Sequence, residues 1–278
     1  MKKELDNIRK RLDKNNDGLV TLDEYLAEEE SKGPKEKPGR INYYYQHFDN
    51  IISYFKIVMR SFTKFSILCI PNFIIRYGDF VDKTAIVIDV PQKSIIYGTR
   101  MKQAIDKCIN ENSARFIFFS IILRFGKFNH ANMCVIDLEK RTLERFEPHG
   151  ASFYFGKMKD YKDNEEVNIL MKKVVLDDLD LRDFKYISPE KISPFIGVQG
   201  KADAYCGMCV TISMMYLHLR ILNPDIPQKG LIKFLMKRSK EKLKEMILKY
   251  AKHVEEKLKE NEDYVLDLFN EVIEELNL

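Results

Sequence analysis

The sequence predicts an α+β protein: a mixed central sheet carrying long helices, preceded by a small helix–loop–helix module on a linker. Three observations lead there. The run Ala114–Phe125 (ARFIFFSIILRF) is almost wholly apolar, as a strand covered on both faces must be. Two pairs of β-prone runs are each joined by a turn: Thr84–Val90 with Ser94–Gly98 across Pro91-Gln-Lys93, and Ala131–Leu138 with Leu143–Glu147 across Glu139–Thr142. Apolar residues at helical spacing fill Cys206–Leu222 and recur in the tail.

Taken in order, Met1–Glu30 is charge-rich and helical in period, with Leu5, Ile8 and Leu12 on one stripe. Ser31–Arg40 (SKGPKEKPGR) carries two Gly, two Pro and a scatter of basic residues, and reads as a linker. The chain therefore divides into a module over 1–30, a linker over 31–40 and a large domain over 41–278, with the module expected to hang on a tether outside the large core. Ile41–Phe62 and Arg100–Asn112 read as helices. A helical run near Glu165–Val175 and a short strand near Phe184–Ile187 follow the second hairpin. The helix Cys206–Leu222 is stopped by Asn223-Pro224. The charged helices of the tail occupy about 229–278. No internal repeat is present.

With 278 residues, 45% hydrophobic and 32% charged, the chain can bury a sizeable core. A net charge of +4 gives no global field for nucleic acid. Lys229–Lys259 holds eleven Lys/Arg against four Glu, and Glu260–Leu278 has seven acids and no base. The basic stretch could meet phosphates. Its apolar positions (Leu243, Ile247, Tyr250, Val254, Leu258) and the acidic segment behind it favour a helical pair within the chain over a nucleic-acid surface. The apolar runs, such as Phe116–Leu123, are too short to span a bilayer. Five Cys, an odd number in a long chain, argue for a reducing compartment and against a disulfide scaffold. The expectation is a soluble, intracellular protein.

The stretch Asp13-Lys-Asn15-Asn-Asp17-Gly18-Leu19-Val20-Thr21-Leu-Asp-Glu24 matches a twelve-residue EF-hand calcium loop. Ca²⁺ takes six to eight oxygen ligands. Asp13, Asn15 and Asp17 offer side-chain oxygens at positions 1, 3 and 5, and Leu19 its carbonyl at position 7. Thr21 serves at position 9, directly or through water, and Glu24 is bidentate at position 12. Gly18 permits the turn at position 6. One Ca²⁺ is thus the expected metal. Hands of this kind usually pair through position 8, here Val20, and no second loop is present in the sequence.

A second constellation lies in the large domain. His130 opens a strand, Glu147 follows seventeen residues later, and Gln199 precedes Cys206 by seven. A thiol at a helix N-terminus is made more acidic by the helix dipole and a nearby imidazolium. A His takes the thiol proton and later protonates the leaving amine. An acid orients the imidazole, and a side-chain amide with the Cys backbone N–H can hold an oxyanion. Cys206-Gly-Met-Cys209 is also a C-x-x-C, but no thioredoxin-like context or second zinc-ligand pair accompanies it. Cys209 is therefore read as a helix residue one turn beyond the nucleophile. His149 beside Glu147 is expected to face solvent or substrate. His47, His218 and His253 have no partner pattern and read as structural.

These motifs resemble the adenain-like cysteine proteases, the clan of the adenovirus maturation protease and the SUMO/ubiquitin-like-protein proteases. The spacing His130 to Glu147, the phrase Phe146-Glu147-Pro148, and Val198-Gln199-Gly200 with Cys206-Gly207 carry the resemblance, over about Ala114 to Leu222. The wider wording HANMCVID…ERFEPHG looks like proteases of large DNA viruses. Many relatives carry Trp after the catalytic His, where this chain has Ala131. The resemblance implies a papain-like (adenain-type) domain in which Cys206 is the nucleophile, His130 the base and acid, Glu147 the orienting acid and Gln199 the oxyanion donor. It also implies a protein or peptide substrate, with cleavage near Gly-rich sequence, in host cytoplasm or virion. The alternative is a non-catalytic calcium-binding or virion scaffold on the same fold.

Overall fold

A computed structural model describes residues 2–30, 48–58, 67–77, 80–98, 100–110, 114–126, 128–151, 163–202 and 208–276. The predicted linker Ser31–Arg40, the first part of the helix predicted from Ile41, His47 and Cys206 lie outside the described residues.

Strand β1 (Leu68–Cys69) is followed by a separate hairpin of β2 (Ile74–Tyr77) and β3 (Phe80–Lys83). Strands β4 (Ala85–Asp89), β5 (Ser94–Ile96), β6 (Phe116–Phe125), β7 (Phe128–Asp137), β8 (Thr142–Phe146) and β9 (Lys185–Ile187) make the main sheet, in the order β5-β4-β6-β7-β8-β9, with β1 also on β6. The sheet is mixed: β1 and β4 run parallel to β6, β8 parallel to β9, and the other neighbours antiparallel. The predicted hairpins β4–β5 and β7–β8 form, and β6 with β7 makes a third, closed at Gly126 with φ +63°. The β2–β3 hairpin was not anticipated, because two four-residue runs give too little alternation to read.

The apolar run of β6 is covered on both faces. Phe116, Phe118 and Ile122 enter one core cluster, and Ile117, Phe119, Ile121 and Leu123 the other. The first face is packed by helices α1 (Lys2–Leu12), α2 (Leu22–Glu30) and α3 (Phe48–Val58). The second face takes α4 (Met101–Asn110), α5 (Asp163–Leu170) and the π-helical turn Met171–Leu176 that continues it. Beyond β9 come two short helices, α6 (Pro189–Ile192) and α7 (Val198–Ala202). The remaining helices, α8 (Met208–Leu222), α9 (Gln228–Lys237), α10 (Lys240–Lys259) and α11 (Glu262–Leu276), complete the chain, and α8 to α10 add to the first face. Leu243, Ile247, Tyr250 and Val254 of α10 are buried. Part of its charge is neutralised locally, by Lys252–Glu256 and Lys259–Glu255 at i,i+4 and by Lys257–Glu260 at its end. The basic stretch thus packs by its apolar face. Among the described residues no helix is long and apolar enough to cross a membrane.

Two expectations are corrected. The helix–loop–helix is docked, not loosely tethered. Leu12, Val20, Leu22, Tyr25 and Leu26 share the core cluster of α8 and α10. The Val20 N–H donates to Asn223 Oδ1 at 2.8 Å, and Asn223 Nδ2 donates back to the Val20 carbonyl at 2.8 Å. Tyr25 packs edge-on against His218 of α8, ring centroids 4.3 Å apart. The stripe was visible in sequence, but its partner lies some two hundred residues away. Second, Cys69 and Cys108 form a disulfide between β1 and α4, with Cα atoms 5.7 Å apart. The sequence reading paired no cysteines, because these two are brought together only by the tertiary packing of β1 and α4.

Helix α8 is pinned to the sheet by Arg220, which is fully buried. Its Nη2 lies 3.0 Å from Asp137 Oδ2 on β7, its Nε 2.9 Å from Glu144 Oε1 on β8, and its Nη1 donates to the Pro224 carbonyl at 2.8 Å. This fixes the C-terminal half of α8 against the sheet and aims its N-terminus at the other end of β7.

Candidate active site

That other end of β7 carries His130. The register Met133↔Phe146, continued one step, sets Glu147 opposite Asn132, diagonal to His130 on the same face. The predicted pair meets: His130 Nε2 donates to Glu147 Oε1 at 2.6 Å, both side chains being buried. Glu147 also accepts from Asn132 Nδ2 at 2.8 Å and from the His149 backbone N–H at 2.9 Å. Asn132 was not assigned a role from sequence, nor was Arg145, whose Nη1 donates to Asn132 Oδ1 at 2.7 Å. Period-two alternation puts Asn132 and Arg145 on the strand faces of His130 and Glu147, two residues away, but by itself assigns neither a role.

A thiol completes the line. The Cys209 thiol, at the first turn of α8, stands close enough to the His130 imidazole and the Ala131 backbone for each to act on its titration. Burial works against the charge on His130, but the Glu147 carboxylate and this thiol outweigh it and lift the imidazole to about 10. Burial raises the Cys209 thiol, yet the hydrogen bond to His130 and its charge bring it below the usual thiol range. Glu147 is lowered: burial opposes its charge, and His130 and Arg145 overcome it. The arrangement favours a thiolate, an imidazolium and a carboxylate in a row. Cys134, four residues along β7 on the face of His130 and Asn132, has its thiol pushed well up by burial and is set for packing. The sequence assigned the nucleophile to Cys206, which lies outside the described residues; the thiol placed on His130 is Cys209.

His149, expected to face solvent or substrate, is half-buried against His130, ring centroids 4.9 Å apart. Burial and the neighbouring imidazolium bring it down to about 4, so it is a neutral ring near pH 7. Gln199 opens α7 beside the site. Its N–H donates to the Pro148 carbonyl at 2.9 Å, and Gly197 N–H donates to the His149 carbonyl at 2.6 Å. This junction needs glycine: a Cβ on Gly150 would stand 2.4 Å from Gly197 N, and Gly150 has φ +99°. The Gln199 side chain is 5% exposed, and its carbonyl oxygen has no hydrogen-bond partner among the described residues. His218 and His253 are buried in an aromatic cluster with Tyr25, Tyr54 and Tyr250, the structural role expected of them. A cleft of about 770 Å³, lined by Asp106, Arg115, Arg141 and Asp183, lies at the opposite end of β7 and holds none of the predicted residues.

The loop Asp13–Glu24 is folded on its own backbone. Asp13 accepts from Asp17 N–H (3.1 Å) and Gly18 N–H (2.9 Å), Asn15 from Asp17 N–H (2.9 Å), and Asp17 from Leu19 N–H (2.9 Å). Glu24 Oε1 takes Lys14 N–H at 3.0 Å and Asn15 N–H at 3.4 Å, while Oε2 takes Thr21 N–H at 2.9 Å. Thr21 Oγ1 accepts from Glu24 N–H at 3.1 Å, so Thr21 and Glu24 also form a capping box for α2. Leu19 lies between Asp17 and Val20 in the same turn. Among the described residues no three His, Cys, Asp or Glu side chains converge as a metal cluster. The all-oxygen donor set still suits a hard cation.

No protein-family model matches the chain. A protein of Acanthamoeba polyphaga mimivirus named for ankyrin repeats is 24% identical over 250 residues, covering 79% of this chain. The chain spans 32% of the length of that relative. Two solved structures are similar. One is the C-terminal Ulp1 protease domain in complex with Smt3, the yeast orthologue of SUMO: 11% identity, TM-score 0.36, 77% of this chain and 75% of that one. The other is the SUMO protease Ulp1 with its catalytic cysteine oxidised to a sulfinic acid: 12% identity, TM-score 0.34, 93% and 96%. At such scores the functional reading stands on the site's own residues.

Proposed function

We propose that the chain is a thiol-dependent hydrolase of acyl bonds, on one observation above the rest: a buried Glu147–His130 pair with a cysteine at the head of an apolar helix against it. More particularly, the reading is a cysteine endopeptidase of adenain-like type, acting on viral proteins or ubiquitin-like modifiers with a Gly-rich cleavage site. The adenain-like motifs support the peptidase part of the narrower reading, and the similarity to a mimivirus protein its viral setting alone. The thiolate attacks the scissile carbonyl carbon, and the carbonyl electrons move to oxygen, where the Gln199 amide donates. Collapse expels the amine, which takes its proton from His130. Water, losing a proton to His130, then cleaves the thioester and frees the thiol.

Cys206 is the nucleophile in this reading, on its Cys-Gly pair and its offset from Gln199. The contact of His130 with Cys209 favours a second reading, with Cys209 attacking. A thiol-directed activity probe and a peptide assay on Cys206→Ala and Cys209→Ala separate them. Cys206→Ala is expected to abolish labelling and turnover, with Cys209→Ala still active and Gln199→Ala slower by about a hundredfold. The reverse pattern assigns Cys209. A wild type that neither labels nor cleaves leaves the non-catalytic scaffold.

The reading includes one Ca²⁺ at Asp13, Asn15, Asp17, Leu19, Thr21 and Glu24, supported by spacing and donor chemistry. Calorimetry with Ca²⁺ on wild type and Glu24→Ala tests it. A heat of binding unchanged in the variant would leave the capping box as the whole role of Glu24.

A further inference from the structure

The charges around Glu147 do not end at His130. Arg145 on β8 is fully buried, a costly place for a guanidinium without a counter-charge. Among the described residues the carboxylate within ion-pair range is Glu147, with Arg145 Nη1 at 3.9 Å from Glu147 Oε2. Between the two stands Asn132, also fully buried: its Oδ1 accepts from Arg145 Nη1 at 2.7 Å and its Nδ2 donates to Glu147 Oε2 at 2.8 Å. The amide cannot flip, because reversal would aim its NH₂ at the guanidinium and its carbonyl at the carboxylate. The rest of the guanidinium is held by neutral acceptors. Arg145 Nη2 donates to Asn164 Oδ1 (2.8 Å) and Asn168 Oδ1 (3.2 Å) on α5, and Nε donates to Tyr186 Oη (3.2 Å) on β9.

We propose that Arg145 and Asn132 are positioning residues for the active site: Arg145 sets the Asn132 amide, the amide fixes Glu147 Oε2, and the guanidinium is the standing counter-charge that keeps Glu147 ionised when His130 has given up its proton. The proposal rests on the thiol-hydrolase reading. A carboxylate that served His130 alone would face a buried, uncompensated state in each cycle, once the imidazole turned neutral. The fixed cation removes that state. It also stops Glu147 from taking the proton that His130 must deliver to the leaving amine, and the second oxygen, held by an uncharged amide, leaves Oε1 for the imidazole.

The titratable groups around this pair are few among the described residues. His130 and His149 face Glu147 from β7 and the loop after β8, and Cys209 faces His130 from α8. Cys134 and Tyr186 face Arg145 from β7 and β9, and Glu190 of α6 reaches it only through Asn168. None of them is a second carboxylate at hydrogen-bond distance from the guanidinium.

The test follows the Glu147 carboxyl by carbon NMR in glutamate-labelled protein, beside the pH dependence of thiol alkylation and peptide turnover. In Asn132→Ser and Arg145→Met the carboxyl midpoint, and the acid limb of alkylation with it, are expected to move up by about one pH unit or more, the scale of one lost charge-assisted contact. Turnover should fall about ten- to a hundredfold with KM nearly unchanged. Arg145→Lys keeps the charge and should restore the midpoint while recovering turnover only in part. If Arg145→Met does not fold, Asn132→Ser and Arg145→Lys still decide. Folded variants with unmoved midpoints overturn the inference. Moved midpoints in a protein whose thiol is no more reactive than free cysteine sustain the positioning and overturn the hydrolase.

Discussion

Two carboxylates, Glu147 and Glu24, have both oxygens engaged in hydrogen bonds, but they collect them in opposite ways. Glu147 is fully buried and is met by two side chains from another strand, His130 and Asn132, and by one local backbone N–H, that of His149. Glu24, half-buried in the first turn of α2, is met mostly by backbone N–H groups within ten residues of it. The first arrangement exists only once β7, β8 and β9 are assembled; the second needs little beyond its own turn. A carboxylate served by distant side chains is therefore tied to global stability. One served by local backbone is free to trade its partners for a cation.

Removing each carboxylate is the most direct way to break this contrast. Glu147→Ala leaves the Arg145 guanidinium buried without its counter-charge, and urea denaturation should show a loss of about 3–5 kcal/mol. Glu24→Ala, measured with chelator present, loses a capping-box partner and should cost about 0.5–2 kcal/mol. A smaller effect comes from pH. His130 is raised to about 10 from 6.5, so its contribution is complete below pH 6.5 and is lost as pH climbs towards 10. Glu147 is lowered from 4.5, so its contribution is present above pH 4.5 and fades as pH falls through its lowered folded value. The stability gap between wild type and Glu147→Gln should thus be widest between about pH 4.5 and 6.5, and denaturation series at pH 3, 6 and 10 check it. The smallest expected effect sharpens the other side. Because the helix–loop–helix shares the main core, saturating Ca²⁺ should raise a single melting transition by a few degrees. Two separate transitions in calorimetry would mean the module melts alone.

What was legible in the sequence follows the same division. The loop Asp13–Glu24 could be read from spacing, since its partners are neighbours in the chain. The both-sides-buried strand β6 was readable because a run with no polar face has only one place to go. His130 and Glu147 could be named from their order and chemistry. Asn132 and Arg145 could not, because an Asn and an Arg in a strand look like surface residues until α5 and β9 are folded over them. The docking of Tyr25 on His218, the Cys69–Cys108 bond and the approach of Cys209 to His130 each depend on segments far apart in the chain, or on which side of a helix turns inward. Helical periodicity alone does not distinguish Cys206 from Cys209, three residues apart in the chain.

The pairing of Asn223 with Val20 has one more consequence. An asparagine side chain is a peptide group on a one-carbon stalk, and here it presents both its C=O and its N–H to the backbone of Val20, as a neighbouring strand in a two-stranded ladder would. The ladder is closed from within, by the residue that ends α8. Pairing of two copies through Val20 would first need Asn223 to let go, because its amide already uses the N–H and C=O that a second strand would take.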